Sequence, residues 1–127
     1  MVQPVQRAAA IQAARRLLER FMQHPLKEEI DAADASYREL PYVRPVPGRV
    51  LDSGVMDLLY RHASEWKLID FKADELRDEN DLIRAIEKHR RQMQRYAEAV
   101  WSLLGVSPSV QLCFLDAMGK IMIRDVG

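Results

Sequence analysis

Two apolar runs, Val50 to Tyr60 and Trp66 to Ala73, are separated only by the polar stretch Arg61-His-Ala-Ser-Glu65. Runs of this length, rich in Val, Leu, Ile and aromatics and broken by a short polar turn, dictate two strands of one antiparallel hairpin. With the turn centred between Ala63 and Ser64 and no bulge, Asp57 falls opposite Asp70. Directly opposed residues share a face, with Cβ atoms about 4.5–5.5 Å apart. Alternation then brings Lys72 to the same face. Trp66 and Leu68 share it too, so two carboxylates and an ammonium converge beside apolar surface.

Carboxylates this close repel, and burial makes their charged forms costlier. A divalent cation relieves both effects, and hard oxygen ligands select magnesium or manganese. Such an ion polarises a phosphoryl oxygen and lowers the pKa of a bound water, with Lys72 orienting or deprotonating the attacking water. An isolated Asp-x-Lys pattern is more often a plain ion pair. The opposed second acid favours metal, because one lysine does not neutralise two buried carboxylates.

The elements around this hairpin follow from local chemistry. Pro4 opens a helix over Val5 to Gln23, rich in Ala, Leu, Arg and Gln, and Pro25 ends it. Lys27 to Ala35 reads as a shorter helix, and Tyr37 to Val46 as the first strand, closed by Pro45-Val-Pro-Gly48. Asp74 to Asn80 is a solvated, charged connector with Asp78 or Asn80 available as a cap. A long helix covers Asp81 to Leu104, ended by Gly105. Ser109 to Leu115 and Lys120 to Arg124 are the last strands, joined through Asp116-Ala-Met-Gly119. The fold class is therefore α/β: a mixed central sheet flanked by helices, in the order α-α-β-β-β-α-β-β.

The faces of the long helix separate at about 100° per residue. Leu82, Ile86, Met93, Ala97, Val100 and Leu104 form the side that packs on the sheet. Arg84, Lys88, Arg91 and Arg95 form another side, and His89, Gln92 and Tyr96 lie between. A row of cations beside an amide and a phenol suits a phosphate backbone as well as a solvated helix face. Glu39 approaches the acids if the first strand runs beside the second. Tyr60, Trp66 and Trp101 read as core or half-buried aromatics, Met118 and Met122 as core filler, and His62 as an exposed turn residue. Arg15, Arg16 and Arg20 extend the basic surface of the first helix.

Composition excludes several classes. The 19 basic and 19 acidic residues balance, so any nucleic-acid contact rests on local placement rather than net charge. No apolar run approaches membrane-spanning length, and the N-terminus lacks a signal-peptide pattern. A single cysteine, Cys113, in a strand implies a reducing, cytoplasmic compartment and no disulfide framework. No Gly-rich phosphate loop is present, so ATP hydrolysis is not expected in this chain.

Taken together, Arg38-Glu-Leu-Pro-Tyr42, Gly54-Val-Met-Asp57-Leu-Leu-Tyr60, Trp66-Lys-Leu-Ile-Asp-Phe-Lys72, Gln92-Met-Gln-Arg-Tyr96 and Gln111-Leu-Cys-Phe-Leu115 resemble the RecB/AddA-type nuclease domain of the PD-(D/E)XK superfamily. The resemblance implies a restriction-endonuclease-like core and magnesium-dependent hydrolysis of DNA ends or single strands during break processing. It implies Asp57, Asp70 and the carbonyl of Phe71 as metal ligands, Lys72 as the catalytic lysine, and Gln92 and Tyr96 as supporting or DNA-touching residues. It further implies a helicase domain in the same or a partner polypeptide. Residues 1–127 would form one nuclease domain of a longer chain, with a helical part at 1–35 and a catalytic core at 36–127.

The family's upstream histidine has no well-placed counterpart, since His24 stands just before Pro25 and close to the first strand. The four cysteines of iron–sulfur members are absent, which excludes that cluster. Two other readings accompany this one: a non-catalytic nuclease-fold module that binds DNA or docks on a helicase, and a structural domain held by an Asp57–Asp70–Lys72 ion cluster.

Overall fold

The computed structural model describes residues 4–127. Helices α1 (Pro4–Met22) and α2 (Pro25–Asp31) precede strands β1 (Ala35–Val46), β2 (Arg49–His62) and β3 (Glu65–Lys72). Helix α3 (Glu79–Leu104) and strands β4 (Ser109–Ala117) and β5 (Lys120–Asp125) complete the chain. The element order is that expected from the sequence. Ala35 is the one reassignment between elements, since it opens β1 rather than closing α2.

The strands form one five-stranded sheet in the order β1-β2-β3-β4-β5. Adjacent strands are antiparallel except β3 and β4, which are parallel, so the sheet is mixed. Parallel neighbours need a long crossover, and α3 supplies it. Core forms on both faces. On one, Leu59, Leu68, Leu112 and Phe114 meet Leu82, Met93, Tyr96 and Val100 of α3. On the other, Leu58, Tyr60, Ile69 and Cys113 meet Leu26 and Ile30 of α2. A strand covered on both sides reads as an unbroken apolar run, which is why Leu68-Ile69 shows no polar alternation.

Local chemistry sets the element ends. His24 caps α2, its Nδ1 accepting from Leu26 N–H at 3.1 Å, with Pro25 in the first turn. Asp78 caps α3 by accepting from Asp81 N–H at 2.8 Å, and Gly105 ends it at φ +69°. The β2–β3 turn centres on Ala63 and Ser64, both at positive φ, as a two-residue type I′ hairpin requires.

Several expectations change. Trp101 is 62% exposed, and Leu104 and Met118 are exposed too: the buried face of α3 ends with Ala99 and Val100, and Met118 stands in the β4–β5 turn. The connector after β3 is not wholly solvated: Leu76 is buried and bridges to Ala117. His62 is half-buried beside Glu29, at 3.7 Å. Arg20 is no open surface cation, since it donates to Leu115 O at 2.6 Å and pairs with Asp116. No helix among the described residues is long and apolar enough to cross a membrane.

Candidate active site

The β2–β3 ladder runs from His62 opposite Glu65 to Leu58 opposite Ile69. The next step of that register is Asp57 against Asp70, as the sequence pattern requires. There the ladder stops, and Phe71 N–H donates to Asp57 Oδ2 at 2.9 Å. The β1 side is irregular at the same level. Arg38 pairs with Leu58 and Leu40 with Met56, while Glu39 between them has φ +48°. Left-handed backbone in a non-glycine strand residue is strained and clusters at functional sites. Alternation along β2 skips a step at the same place, because Met56 and Leu59 both enter the α3-side core.

This break gives Asp57 two aspects. Toward α1 and α2 it lines a cavity of about 460 Å³ with Glu39, Arg38, Phe21 and Lys27. Toward α3 it meets Asp70. Burial raises the Asp57 carboxyl above the ordinary range; the Phe71 N–H opposes this, and the adjoining Asp70 adds to it. Asp70 is 5% exposed. Lys72 Nζ lies 2.6 Å from Asp70 Oδ2, off hydrogen-bond geometry, so that buried oxygen has no hydrogen-bond donor. Two acids thus share one ammonium.

From α3, Tyr96 is buried and lies edge-on to Tyr42, with centroids 5.9 Å apart. Burial pushes its phenol up, and the charges of Asp70, Tyr42 and Asp57 add to that. Gln92 Nε2 donates to Tyr96 Oη at 3.0 Å, which fixes the phenol at the rim of the acids. His89, one turn earlier, is half-buried; burial first, then Lys72 and Lys88, hold its imidazole below the usual value. Asp57, Asp70, Lys72, Gln92 and Tyr96 therefore come together, and His89 lies close enough to feel the Lys72 charge.

The expected basic row does not act as one surface. Arg84 is tied to Asp81 and Arg95 to the buried Asp52, at 2.7 Å. Lys88 and Arg91 are exposed and make no ion pair among the described residues. Simple alternation separates Asp52 and Asp57, five residues apart, onto opposite faces. The skipped step in β2 turns both toward α3, so Asp52 and its partner Arg44 escaped the sequence pattern. Among the described residues, no three His, Cys, Asp or Glu side chains gather closely enough to hold a metal. Cys113 is buried and its thiol pushed up to about 12, which removes thiolate chemistry from consideration.

No protein-family profile matches the chain. Two curated proteins are similar to it, and both bear the name of an ATP-dependent helicase/nuclease subunit. The one from Clostridium acetobutylicum is 25% identical over an alignment of 114 residues, covering 79% of this chain and 9% of that protein. The one from Heliobacterium modesticaldum is 28% identical over 119 residues, covering 81% of this chain and 8% of that protein. The chain thus spans less than a tenth of the length of these relatives, and its similarity to them supports a helicase–nuclease relationship. Among solved structures, the crystal structure of SSO0001 is similar in fold, with a TM-score of 0.54 at 18% identity over 94% of this chain and 52% of that one.

Proposed function

We propose that this chain is the nuclease domain of a longer helicase–nuclease, a divalent-metal-dependent phosphodiesterase of the PD-(D/E)XK type that hydrolyses DNA ends or single strands. One observation carries the reading: Asp57 and Asp70 meet where β2 and β3 part, with Lys72 Nζ 2.6 Å from Asp70. The similarity to helicase/nuclease proteins points the same way.

The donor chemistry fits a hard cation. Two carboxylates face one ammonium, Asp70 Oδ2 is buried without a hydrogen-bond donor, and Asp57 resists ionisation. Asp57, Asp70 and the Phe71 carbonyl would hold magnesium or manganese, which when bound supplies Lewis-acid activation of water and phosphoryl oxygen. Lys72, its Nζ 2.6 Å from Asp70 Oδ2, would orient or deprotonate the attacking water and offset charge gathering on the phosphate. The Phe71 N–H fixes the Asp57 carboxylate. Gln92 fixes the Tyr96 hydroxyl, and the buried phenol excludes water from the helix side of the acids.

A cleavage assay on linear single- and double-stranded DNA, with and without magnesium and against Asp70→Ala, tests this. We expect weak, metal-dependent cleavage needing millimolar-range ion, lost in Asp70→Ala. Equal products from both proteins would sink the catalytic assignment. A second reading, the non-catalytic module that binds DNA or docks on a helicase, is favoured by the two-carboxylate donor set among the described residues. It predicts DNA binding without cleavage.

A further inference from the structure

The end of the β1–β2 hairpin carries a second polar cluster on the same sheet face as the acids. Asp52, 5% exposed, accepts from Arg95 at 2.7 Å, from Arg44 Nε at 3.2 Å and from Tyr42 Oη at 3.4 Å. Gly54 makes room for this arrangement: a Cβ there would lie 3.0 Å from the Tyr42 ring. Above Asp52 opens a cavity of about 500 Å³ bordered by Arg44, Arg91, Gln94, Arg95 and Glu98. Arg91 makes no ion pair among the described residues, and Arg95 Nε is buried without a hydrogen-bond partner. Glu98, its side chain 65% exposed, binds Arg44 at 3.0 Å from the solvent side.

A tie between α3 and the hairpin needs one arginine on one carboxylate. Here, among the described residues, three guanidiniums face two carboxylates, and the outer carboxylate stands on an exposed helix position. A buried acid that accepts from one guanidinium nitrogen of each of two arginines, leaving their other N–H groups to a ligand, is how a planar phosphate or carboxylate site is preorganised. Tyr42 links the cluster to Tyr96 and so to the acid pair. Asp57 lies five positions along β2 from Asp52, about 17 Å at strand rise, or about five nucleotides of a B-form strand.

We infer that Arg44, Arg91 and Arg95 form a clamp for the phosphate backbone of the DNA strand that enters the acid site, with Asp52 as its fixed base and Glu98 as an internal competitor for the phosphate. The clamp rests on the nuclease reading and deepens it. It recognises phosphodiester rather than base, so it is blind to sequence.

The test is fluorescence anisotropy of a labelled single-stranded oligonucleotide of about twenty nucleotides, in EDTA, over about 50–200 mM salt. Arg91→Ala leaves the Asp52 network untouched, and should lower the slope of log K against log salt by about 0.7. Glu98→Gln should tighten binding by about 2–5-fold, the scale of one exposed ion pair; a misfolded variant does not mimic a gain. Asp52→Asn with Arg44→Gln and Arg95→Gln removes the buried charge along with its partners, so folding survives while the slope drops by about 1.4. If the parent protein binds DNA and either Arg91→Ala or Glu98→Gln matches it in slope and affinity, the clamp is wrong and the nuclease reading stands. If the parent does not bind DNA in EDTA, the clamp is wrong, and cleavage with magnesium against Asp70→Ala decides the nuclease reading separately.

Discussion

Asp57 is held by opposing forces: the Phe71 N–H favours its charge, while burial and Asp70 disfavour it. Its carboxyl is raised relative to the unfolded chain, so the stability it contributes is present below the unfolded pKa and lost as pH rises through the folded one. Asp57→Asn should therefore stabilise the metal-free protein near neutral pH, with the gain vanishing in acid. At about 3–5 °C per kcal/mol for a domain of this size, a thermal melt resolves it. A melt temperature equal to or below the parent's at neutral pH would show that the two acids do not repel. In the proposed mechanism Lys72 bears on rate instead. Lys72→Ala should leave metal binding largely intact and reduce hydrolysis by about 10²–10⁴-fold, the scale of a positioned acid–base group. Parental turnover in that variant would remove Lys72 from the mechanism.

At the scale of elements, the β2–β3 hairpin matters most because its register delivers both acids. Its turn places Ala63 and Ser64 at φ +52° and +66°, where side chains with a Cβ are strained. Asn and Gly are the residues a type I′ turn selects. Ala63→Asn with Ser64→Gly should thus raise unfolding free energy by about 1–2 kcal/mol, read by urea denaturation, without altering the site. An unchanged or lowered midpoint would mean that the turn is not strained. Helix α3 has a parallel role. Its two caps fix its ends, and its inner face turns Gln92 and Tyr96 to the acids while Arg95 reaches Asp52.

For the whole molecule, the proposed metal site carries a stability prediction: a cation held by Asp57 and Asp70 would offset the repulsion between them. Binding to the folded state alone adds RT ln(1 + [L]/Kd), about 2.7 kcal/mol at a hundredfold excess over Kd. Manganese or magnesium should therefore raise the melt temperature of the parent, and the double variant Asp57→Ala with Asp70→Ala should show no such rise. A rise of equal size in the double variant would move the metal elsewhere.

The acid pair was legible in the sequence because hairpin register is local: a turn centre and a period of two place Asp57 against Asp70 without reference to the rest of the chain. Element order was legible for the same reason, through proline, glycine, capping residues and apolar runs. What the sequence did not decide was how strands depart from regularity. The left-handed Glu39 and the skipped step at Asp57 arise where β2 stops pairing with β3 while β1 and β2 pair onward. No residue nearby announces the change. That irregularity brings Asp52 to the same face as Asp57 and joins Arg44 to Arg95. Helix periodicity gave the direction of each cation on α3 but not its partner, so a uniform basic row became paired arginines with Lys88 and Arg91 left open. Packing also decided where the core ends, leaving Trp101 and Met118 exposed despite their apolar character. Register and capping act over a few residues and can be read in order along the chain; strand irregularity, ion-pair partners and the limits of the core depend on segments far apart in sequence, and only the folded chain brings those together.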